Sequence, residues 1–178
     1  MIEVRWHGRG GQGSFTIARL LGMAASVYGG QYAQAFPSFG PERRGAPVLG
    51  FTRISDDKIT DRSEVDACDY VVVLDETLWG PSVVSGLKPS TKIIVNTETP
   101  EKYKLDGHEI VAIDATSLAL EHLGRPITNT AMMGALIAIG GFVSLEDCKQ
   151  AIDASMKPSI AAKNCILIEK AFAMTKEA

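Results

Sequence analysis

A three-layer, Rossmann-like α/β fold with a mainly parallel sheet and a helical C-terminus is predicted by three features of this 178-residue sequence. A glycine-rich loop at residues 8–13 lies between a strand-like and a helix-like stretch. Short runs of β-formers then alternate with helical segments. Nearly everything after residue 114 has helical spacing. At this length one domain spanning residues 1–178 is expected, able to bury about two-thirds of the surface of its unfolded chain.

The elements follow in order. Ile2–Trp6 alternates Ile2, Val4 and Trp6 with Glu3 and Arg5, the period of a strand. Ser14–Tyr28 sets Phe15, Ala18, Leu21, Ala25 and Tyr28 at helical spacing, with Ser14 and Thr16 opening the helix and Gly29-Gly30 ending it. Tyr32–Phe36 is a short strand stopped by Pro37. Ser38–Pro47 is dense in glycine and proline and forms a shaped loop. Val48–Ile54 and Lys58–Arg62, joined by Ser55-Asp56-Asp57, predict a β-hairpin. Tyr70–Leu74 and Lys92–Asn96 are apolar enough for strands buried on both faces. Glu76–Leu87 between them predicts a helix broken at Gly80-Pro81, and Glu109–Ile113 completes the strands. Four helices close the chain, at Ala115–Leu123, Thr130–Ile139, Leu145–Ser155 and Ile160–Lys176. No repeat, low-complexity tract or long linker interrupts this order.

With 46% hydrophobic and 22% charged residues, the chain is neither disordered nor fibrous. Its net charge of −3 argues against nucleic-acid binding as its main role. That total conceals an asymmetry. Residues 1–53 contain six Arg, no Lys and only two acids, a net +4, whereas the remainder carries −7. Arg is the side chain that grips phosphate or carboxylate bidentately, so this surplus suggests a local anion site. Cys68, Cys148 and Cys165 are widely spaced and have no histidine close by, so neither a zinc site nor an iron–sulfur cluster is expected on this chain. The sequence start is charged and unlike a signal peptide, and Ala131–Val143 is too short to span a bilayer. A cytoplasmic protein without membrane attachment is therefore expected.

Gly8-Arg9-Gly10-Gly11-Gln12-Gly13 matches G-x-G-x-x-G between a strand and a helix, the context in which the motif binds phosphate. Glycines allow close backbone approach, and the following helix offers unpaired N–H groups and its positive dipole end. An NAD site would also need Asp or Glu at the end of the second strand, yet no acid occurs from Gly29 to Pro41. Arg43 and Arg44 stand nearby in sequence instead, which favours a ligand with an extra phosphate: NADP, or the 3′-phospho-ADP end of coenzyme A. A glycine loop that holds no ligand is the remaining alternative. Thr128-Asn129-Thr130 opens a helix and supplies groups that can cap it or bind ligand. Met132 and Met133 belong in the core. His7 ends the first strand beside the loop, where a structural role or a partner contact outweighs proton transfer. No nucleophile–base pair stands out.

His7–Gly13 followed by Gln34-Ala35-Phe36-Pro37 resembles the γ subunit of 2-oxoacid:ferredoxin oxidoreductases. The same likeness extends through Gly40-Pro41-Glu42-Arg43-Arg44-Gly45-Ala46-Pro47, Phe51-Thr52-Arg53-Ile54 and Asn129–Ala135, and to Lys163-Asn164 with Ala171-Phe172. It covers essentially the whole chain, with Thr128 standing where the family often has proline. The Glu42–Pro47 segment looks most like the pyruvate-type branch, and next most like the 2-oxoisovalerate type.

The resemblance implies a subunit that contributes to coenzyme A binding while a 2-oxoacid is oxidatively decarboxylated to acyl-CoA and electrons pass to ferredoxin or flavodoxin. It also implies α, β and δ partner subunits, which would carry the thiamine diphosphate, magnesium and iron–sulfur clusters. On this chain the candidate binding residues are Gly8, Arg9, Gly10, Gly11, Gln12, Gly13, Ser14, Arg43, Arg44, Thr128, Asn129 and Thr130, with no catalytic residue and no metal ligand. A free-standing NADP-dependent reductase is the competing class, although Tyr103-Lys104 lacks the helical spacing of a Tyr–Lys catalytic pair.

Overall fold

Along β1 (Ile2–Arg9), Val4 and Trp6 face one side of the sheet while Glu3, Arg5 and His7 face the other, as the strand period of two requires. The structure is a computed structural model, which describes residues 1–38 and 45–177. β1 lies inside a six-stranded sheet with β2 (Tyr32–Pro37), β3 (Pro47–Ser55), β4 (Cys68–Val73), β5 (Leu87–Asn96) and β6 (Glu109–Ile113), in the order β2-β3-β1-β4-β5-β6. The pairs β1–β4, β4–β5 and β5–β6 are parallel; β1–β3 and β2–β3 are antiparallel. The sheet is thus mainly parallel, with an antiparallel flank.

That flank replaces one expected element. Lys58–Arg62 forms no strand. β1 and β2 already occupy both edges of β3, so a hairpin partner has nowhere to pair. The chain after β3 instead turns back over Arg53, whose guanidinium donates to the carbonyls of Ser63 and Glu64.

Helix α1 (Ser14–Met23) continues into a single π turn, Ala24–Tyr28, closed by Gly29 N–H donating to Ala24 O at 2.9 Å. α2 (Pro81–Val84) is only one turn, and the 3₁₀ turn Glu76–Leu78 stands before it, so the helix expected there is broken as Gly80-Pro81 demands. α3 (Ala115–Leu123), α4 (Asn129–Gly140), α5 (Leu145–Ser155) and α6 (Pro158–Glu177) follow.

The two faces of the sheet are covered unequally. Val4, Trp6, Ile54, Val72 and Ile94 pack against α1 and α3–α6 in the larger core. α4 lies at its centre, buried from Asn129 to Ala138, with Met132 and Met133 fully enclosed. Each such side chain contributes roughly 1.5–3 kcal/mol on burial. Gly134 allows α4 and α6 to touch, because a Cβ there would lie 2.7 Å from the Ile168 carbonyl oxygen. On the opposite face Phe51, Val71, Val73, Ile93 and Val95 are covered by Val65, Val83 and short turns. The third layer is therefore thin.

The Arg surplus of residues 1–53 also divides in the structure. Arg53 is buried in the sheet, with Glu3 at 2.9 Å and Asp61 at 3.6 Å. Arg5 is buried as well, donating to His7 Nε2 and to the Val83 and Ser85 carbonyls. These two cations hold the thin layer to the sheet and are unavailable to a ligand.

Candidate functional site

The glycine loop lies at the carboxyl ends of the parallel strands, where open α/β sheets present ligand crevices. Arg9 ends β1, and Gln12 N–H closes a tight turn onto Arg9 O at 2.9 Å. Gly11 and Gly13 have φ of 96° and 80°, the left-handed region that side-chain-bearing residues enter only with strain. At Gly8 the demand is spatial: a Cβ would lie 2.2 Å from Ser14 Oγ.

Gly13 is the N-cap of α1 and brings no side-chain cap. The Ser14, Phe15 and Thr16 amides have no hydrogen-bond partner among the described residues, and Ile17 N–H is the first to bond, to Gly13 O at 2.9 Å. Ser14 Oγ and Thr130 Oγ1 are buried and unpartnered as well. An unmet buried hydroxyl costs about 1–3 kcal/mol, so each calls for an explanation. Ser14 lines a cleft of about 260 Å³ over the start of α1, with Arg9, Gly11 and Thr16.

α4 brings the other candidate residues to the same place. Its N-cap, Thr128, makes no side-chain cap hydrogen bond. The Asn129 side-chain amide abuts Gly13, where a Cβ would meet its nitrogen at 2.6 Å, and Asn129 Oδ1 accepts from Thr130 N–H. Two uncapped helix starts therefore converge on the glycine loop. Arg43 and Arg44 lie outside the described residues. Gly45, next in sequence, donates to Gly10 O at 3.3 Å, while Gly10 donates to Ala46 O at 2.8 Å.

Asp75 is the anchor that sequence reading missed. Its Oδ2 accepts from Arg9 Nε at 3.2 Å and Gln12 Nε2 at 2.9 Å, while Gln12 Oε1 accepts from Arg9 N–H at 2.6 Å. Burial opposes ionisation of Asp75, yet hydrogen bonds from Thr77 and Gln12, with Arg9 alongside, hold its carboxyl below the usual carboxylate value. The signal was available, for Asp75 directly follows the apolar run Tyr70–Leu74 and so ends a buried strand beside β1.

Two further clefts border the loop. One of about 630 Å³ opens beyond β4 and β5 and includes Gly11, Thr128, Asp75, Glu76, Glu98 and Asp114. Its acids make it negative, and hydrogen bonds from Thr97 and Tyr103 hold the Glu76 carboxyl low. The other, of about 520 Å³, lies on the thin side between His7, Leu49, Leu78, Trp79 and Ser82. His7 is almost fully buried, and burial with Arg5 beside it pushes its pKa down to about 3.

Among the described residues, no three His, Cys, Asp or Glu are placed to hold a metal ion, and no helix is long and apolar enough to cross a membrane. Cys68 and Cys148 are buried thiols, and burial pushes the Cys148 pKa up to about 12.

Residues 3–174 match a family described as pyruvate ferredoxin/flavodoxin oxidoreductase. The chain is 49% identical to the pyruvate synthase subunit PorC of Methanocaldococcus jannaschii over 97% of its own length and 96% of that protein's. It is 46% identical to the pyruvate/ketoisovalerate oxidoreductases common subunit gamma of Thermococcus kodakarensis, covering 98% and 97%. Among solved structures, the pyruvate oxidoreductase subunit PORC of Thermotoga maritima superposes with a TM-score of 0.85 at 36% identity, covering 97% of this chain and 95% of that one. The 2-oxoglutarate:ferredoxin oxidoreductase of Magnetococcus marinus shares the fold at a TM-score of 0.80 and 17% identity, over 99% of this chain and 31% of that one.

Proposed function

Because this chain belongs to the pyruvate ferredoxin/flavodoxin oxidoreductase family, as a gamma subunit of a 2-oxoacid:ferredoxin oxidoreductase, we propose that it holds the nucleotide end of coenzyme A in that complex. The complex oxidatively decarboxylates pyruvate to acetyl-CoA in the cytoplasm and passes the electrons to ferredoxin or flavodoxin. Thiamine diphosphate, magnesium and the iron–sulfur clusters reside on α, β and δ partner chains, while residues 1–178 act as one coenzyme A-binding domain. Neither nucleic acid nor membrane is a partner.

One observation carries this reading: three unpaired amides open α1 beside a buried, unpartnered Ser14 hydroxyl, at a cleft whose lining includes Gly10, Gly11 and Gly13. Phosphate oxygens satisfy the free amides of the first turn, and the dipole of α1 adds to their attraction. Arg9 lines the same cleft, and Arg43 and Arg44 supply further positive charge. The Magnetococcus enzyme, whose structure holds coenzyme A, lends support through the shared fold. Fixing the nucleotide turns the thiol's encounter with the acyl group into a local event, which raises its effective concentration. No residue of this chain is assigned to the chemical step.

The test is titration of coenzyme A and of 3′-phospho-ADP into the assembled complex. Gly11→Val adds a side chain where the protein leaves open space above the loop, in a left-handed backbone position. Coenzyme A affinity is expected to fall at least 10-fold, as about 1.4 kcal/mol of lost binding requires. Unchanged affinity and unchanged turnover in a correctly assembled complex refute the proposal and leave the loop a structural element.

A 2-oxoisovalerate-type activity is the second reading, favoured by 46% identity to a gamma subunit common to pyruvate and ketoisovalerate enzymes. Purification of the native chain with its partners, followed by assay with both oxoacids, separates the two.

A further inference from the structure

We propose that the free edge of β2 is completed in the assembled oxidoreductase by an extended segment of a partner subunit, which adds a strand to the sheet and sets an acidic side chain against Arg19. The proposal rests on this chain being one subunit of the complex and is independent of where coenzyme A sits.

Three observations lead there. First, β2 ends the sheet, paired with β3 alone among the described residues. Ser38 N–H donates to Leu49 O at 3.0 Å, which carries the β2–β3 register one residue further. Hydrogen-bonded positions alternate in an antiparallel ladder, so Gln34 and Phe36 bond to β3 while Ala33 and Ala35 turn their N–H and C=O groups outward. No backbone group of another described segment meets them. Exposed edges are usually guarded by a charge, a bulge or an internal proline. Tyr32–Pro37 has no charged residue and no shift of register, and its one proline stands at the end. Tyr32 is 50% exposed, and Val27, in the turn that leads to it, 67%. Apolar surface therefore gathers where the edge begins.

Second, a groove of about 370 Å³ lies between α1, the end of α5 and this edge. Leu20, Met23 and Met156 give it apolar walls, and the Ala33 and Ala35 side chains belong to its lining. Alternate side chains of an added strand would point into it, so small or apolar residues fit there.

Third, Arg19 is the one charged residue in that lining. It is exposed, its guanidinium lies 5.9 Å from the centre of the Phe15 ring, and no carboxylate among the described residues pairs with it. An aspartate or glutamate on the added strand answers this charge. A second copy of this chain answers it poorly, because two-fold pairing of β2 with itself brings two Arg19 side chains into one groove.

The test compares the free chain with the assembled complex by hydrogen exchange. The Ala33 and Ala35 amides are expected to exchange at least about 10-fold more slowly in the complex. Two variants then probe the contact. Ala35→Pro removes an outward N–H that β3 does not use, which an edge strand accepts. Arg19→Glu reverses an exposed charge and should leave thermal unfolding of the free chain unchanged. Each is expected to weaken association of the chain with its partner subunits by about 10-fold or more. Equal exchange in both states, or unchanged assembly of Arg19→Glu, overturns the proposal. A dimer of the free chain that protects both amides and is dissociated by Ala35→Pro assigns the edge to a second copy, and overturns it as well.

Discussion

Acidification is expected to destabilise this protein through one histidine more than through any other single group. In the unfolded chain His7 takes its proton near pH 6.5; in the fold, burial and the neighbouring Arg5 delay protonation to about pH 3. Between these values the unfolded state holds one more proton than the folded state, so stability falls as pH drops through that window. The gap amounts to about 5 kcal/mol at 1.36 kcal/mol per pH unit, of which about 3 kcal/mol is lost between pH 7 and pH 4. Urea unfolding at both pH values reads this directly, provided the slope stays constant. His7→Gln lacks the titrating ring, whereas carboxylates held low, such as Asp75, are common to both proteins. The wild type should therefore lose about 3 kcal/mol more than the variant on going to pH 4. Equal losses would refute the claim that His7 is a buried neutral ring.

Three other perturbations have defined outcomes. Asp75→Ala removes the shared acceptor of Arg9 and Gln12; hydrogen exchange at the bonded Gly10 and Gln12 amides should accelerate at least 10-fold, matching a loss of about 1.5–3 kcal/mol of charge-assisted bonding. Gly134→Ala sets a methyl group 2.7 Å from the Ile168 carbonyl oxygen and separates α4 from α6; a cost of about 1–3 kcal/mol should lower Tm by roughly 2–10 °C in a calorimetric scan. Arg53→Met leaves Glu3 with Lys88 alone and uncouples Ser63 and Glu64 from the sheet; urea unfolding should show a loss of about 3 kcal/mol, and Arg53→Lys should not restore it because a single ammonium cannot span those acceptors.

Where a segment's environment follows from its own periodicity, the sequence was enough. β6, α3 and α5 have the expected boundaries, and the structure shows why: Gly124 in the left-handed region ends α3, and Ser144 caps α5 by accepting from Asp147 N–H. The glycine loop was legible because its residue types answer local backbone demands at Gly11 and Gly13. Pairing is not local. Lys58–Arg62 has a strand-like composition, and only the knowledge that β1 takes the free edge of β3 shows that it cannot pair. The Arg surplus misled for the same reason, since charge can be counted but burial cannot: Arg5 and Arg53 face a covered side of the sheet while Arg9 faces the loop. Asp75 acts through contacts with Arg9 and Gln12 more than sixty residues away, which no local spacing encodes, whereas His7 meets Arg5 two residues earlier on the same face of β1, and only its burial was hidden.

The antiparallel flank also bears on the glycine loop. β2 ends at Pro37, opposite Gly50, and β3 begins at Pro47, opposite Arg9, so the stretch between leaves and re-enters the sheet at the level of the glycine loop. Both anchors belong to strands whose register is set by their own ladders. Gly45 and Ala46 exchange hydrogen bonds with Gly10, and Ser38 N–H donates to Leu49 O. The antiparallel flank and the glycine loop are thus tied together at the end of β1, and a shift in the register of β3 would be felt in the loop.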